Sequence, residues 1–333
     1  MILHPPLPFR RALVTGATGF IGRVLCRRLG ELEVAVTATA RHEAEGPWDR
    51  FLPLDLGEDP AAPLPPELWE GVDVVFHLAG KAHALEERPG EEEESYFRIH
   101  RDGTARLAAA AREQGVDRFI LFSSVKAMGE GGEDEQDESA PCQPVTPYGR
   151  SKWEAEPIVL KAGFPHATVL RLSMVYGPGA MGNLPRMMEA IRRHRFPPLP
   201  PLDNRRSMIH VEDVADAAIL AASLRKARGK TYLLTDGQDY STRLIYEWML
   251  LALGREIPRW YVSHGLLKFA ARLGDHLGRA TGRRMPLDSD QLRKLFGSAW
   301  YANGRICHEL DFTPQWNLMN TLKEMARELE PRR

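Results

Sequence analysis

The chain has 333 residues, of which 43% are hydrophobic and 27% charged, and its 44 basic and 45 acidic side chains leave a net charge of −1 at pH 7. The length suits about two domains or one large domain with a lobe, and the balance excludes disorder as the main state. So even a charge gives no long-range field to collect nucleic acid or an anionic membrane.

In chain order, Ala12-Leu13-Val14-Thr15 predicts a strand, followed by a helix from about Gly19 to Leu29 that Gly30 can end. Val34–Ala38, Val72–Ala79, Arg118–Ser123, Thr168–Leu172 and Thr231–Leu234 predict further strands, with helical patterns near 94–114, 149–162 and 211–226 between them. Apolar strands without alternation, separated by amphipathic helices, imply a parallel sheet covered on both faces. The expected fold is therefore α/β and doubly wound. After Tyr240 the pattern turns helical, near 242–253, 263–279, 287–297 and 318–329, and a proline-rich stretch spans Phe196–Leu202. The expected division is a nucleotide-binding domain over 8–173 plus 206–245, and a smaller, mostly helical substrate-binding lobe over 174–205 plus 246–333. There is no internal repeat.

The acidic runs Glu91–Glu94 and Glu130–Glu138 read as solvated surface. Arg192-Arg193-His194-Arg195 reads as a helix end, where cations meet the negative end of the dipole. The 263–284 segment sets Arg272, Arg279, Arg283 and Arg284 beside Leu266, Leu267, Phe269 and Leu273. That pattern suits a membrane-surface helix or a lobe helix packed on the core, and the packed helix is the expectation. No apolar run approaches the roughly twenty residues of a bilayer span; Val211–Leu224 is broken by Glu212, Asp213 and Asp216. Met1-Ile2-Leu3-His4-Pro5-Pro6 lacks the basic and apolar parts of a signal peptide. Cys26, Cys142 and Cys307 are far apart and match no CxxC or zinc spacing. A cytoplasmic protein with reduced thiols, no metal, no nucleic-acid partner and no membrane insertion is expected.

Gly16, Gly19 and Gly22 lie at spacing three and three where the first strand meets the first helix, in Val14-Thr15-Gly16-Ala17-Thr18-Gly19-Phe20-Ile21-Gly22. The first glycine allows the turn, the second lets backbone approach a pyrophosphate, and the third lets helix pack on strand. The helix start then presents N–H groups to the phosphates, as in the Rossmann dinucleotide fold. An acidic residue usually holds the ribose 2′-OH at the end of strand two. Here that region reads Thr37-Ala38-Thr39-Ala40-Arg41-His42, with no carboxylate. Arg41 is placed to meet a 2′-phosphate, which tilts the expectation towards NADP over NAD. Asp55, beside Leu56, is a candidate partner for the adenine.

Tyr148 and Lys152 stand four residues apart at a helix start, on one face. A tyrosine of pKa about 10 is a poor base at neutral pH, and a nearby cation favours its phenolate. Lys152 can also bond a nicotinamide ribose. Ser124 ends the strongest strand, on the edge where open α/β sheets bind ligands, and its hydroxyl can hold a substrate oxygen while Tyr148 exchanges a proton with it.

With these motifs the chain resembles an extended short-chain dehydrogenase/reductase of the NAD-dependent epimerase/dehydratase family acting on nucleotide sugars. The resemblance spans nearly the whole chain. It rests on Gly16 to Gly22, Asp55-Leu56, His77-Leu78-Ala79-Gly80, Gly103-Thr104, Ser123-Ser124 with Gly129, Tyr148 with Lys152, Val175-Tyr176-Gly177-Pro178 and Arg206 to Asp213. It implies a catalytic triad of Ser124, Tyr148 and Lys152. It implies cofactor contacts from Gly16, Thr18, Gly19, Phe20, Ile21, Gly22, Asp55, Leu56, Leu78, Ala79, Gly80, Lys152 and Val175, and substrate contacts from Ser124, Asn183 and Arg206, the latter two on a diphosphate. It also implies a homodimer formed through helices 94–114 and 149–162. Four positions depart from the family pattern. His100 and Met174 stand where members often have Asn, and Val125-Lys126 follows Ser124 where dehydratases have Asp-Glu. The expected function is a UDP-sugar 4-epimerase or 4-keto-sugar reductase rather than a dehydratase. The alternatives are an NADP-dependent reductase of a non-sugar ketone, like the flavonoid and steroid reductases, and a non-catalytic dinucleotide-binding scaffold or sensor.

Overall fold

A computed structural model describes residues 6–58, 63–81, 91–281, 285 and 287–329. The first elements are β1 (Arg11–Thr15), α1 (Phe20–Glu31), β2 (Ala35–Ala40), β3 (Arg50–Pro53), β4 (Val74–His77), α2 (Glu91–Phe97), α3 (Gly103–Glu113), β5 (Arg118–Ser124), α4 (Pro147–Lys161) and β6 (His166–Leu172). There follow β7 (Met174–Tyr176), α5 (Asn183–Arg192), β8 (Arg206–His210), α6 (Val211–Ser223), β9 (Lys230–Leu234) and β10 (Asp239–Tyr240). The chain then turns to α7 (Thr242–Ala252), α8 (His264–Thr281), α9 (Ser289–Phe296), α10 (Gly304–Leu310) and α11 (Leu318–Glu328).

Seven strands make one sheet in the order β3-β2-β1-β4-β5-β6-β9, every neighbouring pair parallel. The apolar strands are buried because helices cover both faces. One face packs Val14, Phe76, Ile120 and Leu170 against Leu25 and Leu29 of α1 and Val214 and Ala218 of α6. The other packs Leu13, Val75, Phe119 and Val169 against Leu107 of α3 and Ala155 and Val159 of α4. This is the expected doubly wound fold. Strand order reverses between β1 and β4, and ligands of such sheets bind beyond the strand ends at that point.

Several elements depart from the sequence reading. Gly30 does not end α1, which continues to Glu31; the left-handed residue that turns the chain is Glu33, at φ 59°. The 94–114 pattern is not one helix. A π-turn over Arg98–Asp102 joins α2 to α3, and such an extra residue per turn re-aims side chains, often at functional sites. The segments 174–176, 206–210 and 239–240 form a small second sheet, order β10-β8-β7, which pattern reading passed over because the strands are two to five residues long.

A third cluster gathers Tyr176, Met188, Met208, Tyr240, Ile245, Met249, Leu318 and Leu322 from the small sheet, α5, α7 and α11. Packing thus crosses the expected division. Met208 and Tyr240, from the span assigned to the nucleotide-binding unit, join the lobe, while Ile306 and Leu310 of α10 join the sheet core. The expectation for 263–284 is met on one side only: Leu267 and Ala271 of α8 pack on Leu292 of α9, while Leu266, Phe269, Leu273 and Leu277 stay exposed. Arg283 and Arg284 lie outside the described residues. Among the described residues, no helix is long and apolar enough to cross a membrane.

Candidate active site

The glycine turn sits at the switch point. Gly16 has φ +70°, and a Cβ there would lie 2.8 Å from the Ala79 amide nitrogen, so a side chain would push apart the turns that follow β1 and β4. A Cβ on Gly22 would lie 2.3 Å from Gly16 O, so α1 also seats on this turn only through glycine. Gly19 differs: it caps α1 in an extended conformation, and a Cβ there would meet only Gly16 O, at 3.2 Å. No side chain caps this helix start and no acidic residue lies in its first turn. Its N–H groups are therefore available to an anion, and this cradle fits a dinucleotide pyrophosphate.

Around the cradle, Thr18, Phe20, Ile21, Leu78, Ala79 and Val175 are half-buried and Gly80 is exposed. Arg41 is exposed directly after β2. Asp55 Oδ1 accepts from the Gly57 N–H at 2.8 Å, so one of its oxygens serves a local turn, and Leu56 is buried.

The helix bearing Tyr148 is fixed at its start. The Gly149 N–H donates to Oγ1 of Thr146 at 3.1 Å, and Pro147 takes the first-turn position that needs no N–H. A Cβ on Gly149 would lie 2.4 Å from Lys126 O, so the helix closes tightly on the chain leaving β5. That approach brings the Tyr148 phenol beside the Ser124 side chain. Ser124 Oγ also accepts from the Lys126 N–H at 3.2 Å. One turn on, Lys152 Nζ donates to Phe122 O at 3.0 Å. A further turn on, Glu156 accepts from Ser123 Oγ at 2.6 Å and from Arg171 Nε and Nη2 at 3.0 and 2.7 Å.

Burial governs the titration of these groups. It pushes the Tyr148 phenol above the usual tyrosine range, and Ser124, not Lys152, is the group that draws it back down. Burial also pushes Lys152 down to about 8, against the upward pull of the Glu156 carboxylate. The expected lowering of Tyr148 by Lys152 is thus not displayed, because the ammonium is turned to the Phe122 carbonyl and desolvation is the larger effect.

Two imidazoles support the site, and every proton on them can be assigned. The Ala79 N–H donates to Thr15 Oγ1 at 3.1 Å, and Thr15 Oγ1 lies 2.7 Å from His77 Nδ1. His77 Nε2 lies 2.9 Å from Thr104 Oγ1, whose proton goes to His100 O. Thr104 must therefore accept from His77 Nε2–H, and Thr15 donates to Nδ1. The Lys81 N–H donates to His100 Nε2 at 2.9 Å, so His100 carries its proton on Nδ1 and gives it to Ser151 Oγ at 2.8 Å. Ser151 in turn donates to Tyr148 O at 2.9 Å. Both rings are neutral: burial pushes His77 down to about 3 and His100 down to about 2. The His100 ring also meets the Tyr148 ring edge-on at 5.5 Å, and Tyr96 does so at 5.8 Å.

The structure therefore gathers Ser124, Tyr148 and Lys152 together, and sets Gly16 beside Ala79. The expected diphosphate contacts are less convergent. Asn183 is exposed at the start of α5. Arg206 Nη1 is already engaged, donating to Lys294 O at 2.6 Å and Gly297 O at 2.8 Å. Sequence reading did not find the roles of Thr15, His77, Thr104, Ser151 and Tyr96, which come from five separate elements and share no spacing. Glu156 had a signal: it continues the four-residue step from Tyr148 through Lys152.

A model of the NAD dependent epimerase/dehydratase family matches residues 12–234. Over 258 residues the chain is 30% identical to UDP-glucose 4-epimerase of Vibrio cholerae, covering 74% of this chain and 76% of that protein. Over 322 residues it is also 30% identical to the 4-hydroxy-2-methyl-3-oxo-4-farnesyl-3,4-dihydroquinoline-1-oxide ketoreductase of Stigmatella aurantiaca, covering 90% and 93%. Among solved structures, MoeE5 in complex with UDP-glucose and NAD matches with a TM-score of 0.73 at 25% identity, over 96% of this chain and 99% of that one.

Proposed function

Because the chain belongs to the NAD-dependent epimerase/dehydratase family, we propose that it is an NAD(P)-dependent 4-epimerase or 4-ketoreductase of a nucleotide sugar, with Ser124, Tyr148 and Lys152 as its catalytic residues. The observation that carries this reading is the approach of the Tyr148 phenol to the Ser124 side chain, with Lys152 one helical turn along. When bound, the nicotinamide dinucleotide supplies the hydride acceptor or donor. The turn from Gly16 to Gly22 holds its pyrophosphate, Leu78, Ala79, Gly80 and Val175 line it, and Lys152 bonds its ribose. Ser124 Oγ orients the sugar C4 oxygen, and Tyr148 Oη takes the proton from a carbinol or returns it to a ketone. Arg41, exposed with no carboxylate at the end of β2, supports NADP. Dehydration is disfavoured because Val125 and Lys126 follow Ser124, and Lys126 is paired with Glu130 at 2.8 Å. The same reading takes the protein as a cytoplasmic homodimer paired through α2–α3 and α4.

A second reading, reduction of a non-sugar ketone, is favoured by one observation: the engagement of Arg206 with two backbone carbonyls, which reduces its use as a diphosphate fork. The Stigmatella ketoreductase relative agrees with it. One experiment tests both readings. The co-purifying dinucleotide is identified by mass, and UDP-hexoses, UDP-N-acetylhexosamines and an apolar ketone are then screened with NADH and NADPH. Turnover of a UDP-sugar supports the first reading, and turnover of the ketone alone supports the second. Tyr148→Phe should keep dinucleotide binding while turnover falls about 100- to 10,000-fold. Retained turnover removes Tyr148 from the mechanism.

A further inference from the structure

Helix α8 is half-used by the fold. Its inner face is narrow: Leu267, Ala271 and Gly274 are buried, and a Cβ on Gly274 would lie 1.9 Å from Leu287 O, so the chain leading into α9 sits directly on the helix backbone. Its outer face carries Leu266, Phe269, Leu273 and Leu277, which are 58%, 66%, 50% and 46% exposed. Single exposed apolar side chains are ordinary. Four in register are not. At about 100° per residue they fall within about 80° of the circumference and form one stripe along the helix.

The charges on α8 are as one-sided as its apolar groups. Lys268, Arg272 and Arg279 are exposed and fall within about 40° of one another, along the Phe269 side of the stripe. The helix has one carboxylate, Asp275, which is occupied by Ser289, accepting from its N–H at 3.0 Å and its hydroxyl at 2.6 Å. Just before the helix, Trp260 and Tyr261 are 64% and 53% exposed, and such rings are favoured where water meets lipid.

We propose that α8 is a peripheral membrane-contact helix that lays this face on an anionic lipid bilayer. An apolar stripe edged by lysine and arginine is complementary to acyl chains beneath anionic headgroups. A second copy of the chain fits it less well, because α8 has no carboxylate other than Asp275, engaged by Ser289, to meet its three cations in a self-complementary contact. The near-neutral charge of the whole chain does not oppose this, since the attraction acts within a Debye length of the helix. The contact is independent of the proposed reaction, and it is surface binding rather than a span.

The test is flotation of the full chain with vesicles of phosphatidylglycerol and phosphatidylcholine in equal parts, against phosphatidylcholine alone. The wild-type protein should float with the anionic vesicles, and less so as salt rises. The double variant Phe269→Ser, Leu273→Ser should lower the partition coefficient by about tenfold or more. Lys268→Gln with Arg272→Gln should lower it by about tenfold on anionic vesicles alone. Thermal melting of both variants checks that the exposed changes leave the fold intact. Absence of flotation, equal flotation on both lipids, or flotation untouched by either variant overturns the proposal. So does a dimer dissociated by the apolar variant with no lipid binding, which would assign the face to a second copy.

Discussion

Replacing Lys152 with Met should stabilise the ligand-free protein at neutral pH while ending turnover. Burial lowers the lysine from 10.5 to about 8. At about 1.4 kcal/mol per pKa unit, holding the charge in the folded state at pH 7 costs about 3 kcal/mol. Methionine keeps the apolar stem and removes that cost. It also removes the donor to Phe122 O, and an unmet buried carbonyl returns about 1–2 kcal/mol of the gain. The net expectation is a variant about 1–2 kcal/mol more stable at pH 7. The sign of the pH dependence follows from proton counts. Between pH 8 and 10.5 the unfolded chain holds the lysine proton and the folded chain does not, so wild-type stability rises with pH relative to the variant. Below pH 8 both states are protonated and the gap is constant. Urea unfolding of both proteins at pH 7, 8, 9 and 10, without dinucleotide, measures it. A variant no more stable than wild type at pH 7, or a gap unchanged at pH 10, would refute the reasoning.

Arg41→Ala should weaken NADPH binding and leave NADH binding nearly unchanged; equal losses in titration calorimetry would defeat the NADP preference. Glu156→Gln leaves Arg171 buried without its counter-charge, so urea unfolding should show a loss of about 3–5 kcal/mol. His77 and His100, pushed down to about 3 and about 2, should keep constant ring chemical shifts by NMR from pH 8 to pH 5. Because the unfolded rings take up protons below about pH 6.5 while the folded ones do not, stability should fall with acid by about 3 kcal/mol per pH unit for the pair, and a flat stability profile from pH 6 to pH 5 would contradict that.

The parts legible in the sequence are those written at fixed local spacing. The strands β1, β5 and β6 are runs of buried apolar residues, and the three glycines of the turn and the Tyr148–Lys152 step are short-range signals that survive without tertiary information. What was not legible depends on contacts between distant segments. The π-turn that delivers His100 reads as ordinary helix over 94–114, because one extra residue scarcely alters an amphipathic pattern. Gly30 reads as a helix end, although α1 continues beneath it until Glu33 turns the chain. The commitment of Arg206 to the carbonyls of residues 294 and 297 joins segments about ninety positions apart. The apolar pattern of α8 was visible, but its separation into a packed face and a bare one was not, since that depends on where α9 sits.

The two imidazole relays have a further consequence for proton traffic. Each starts at a peptide nitrogen, Ala79 or Lys81, and stops at a peptide oxygen, His100 or Tyr148. Neither kind of terminus gives up or gains a proton at physiological pH, so these relays are struts and not wires. A proton gathered at the phenol of Tyr148 has no exit through the imidazoles behind it.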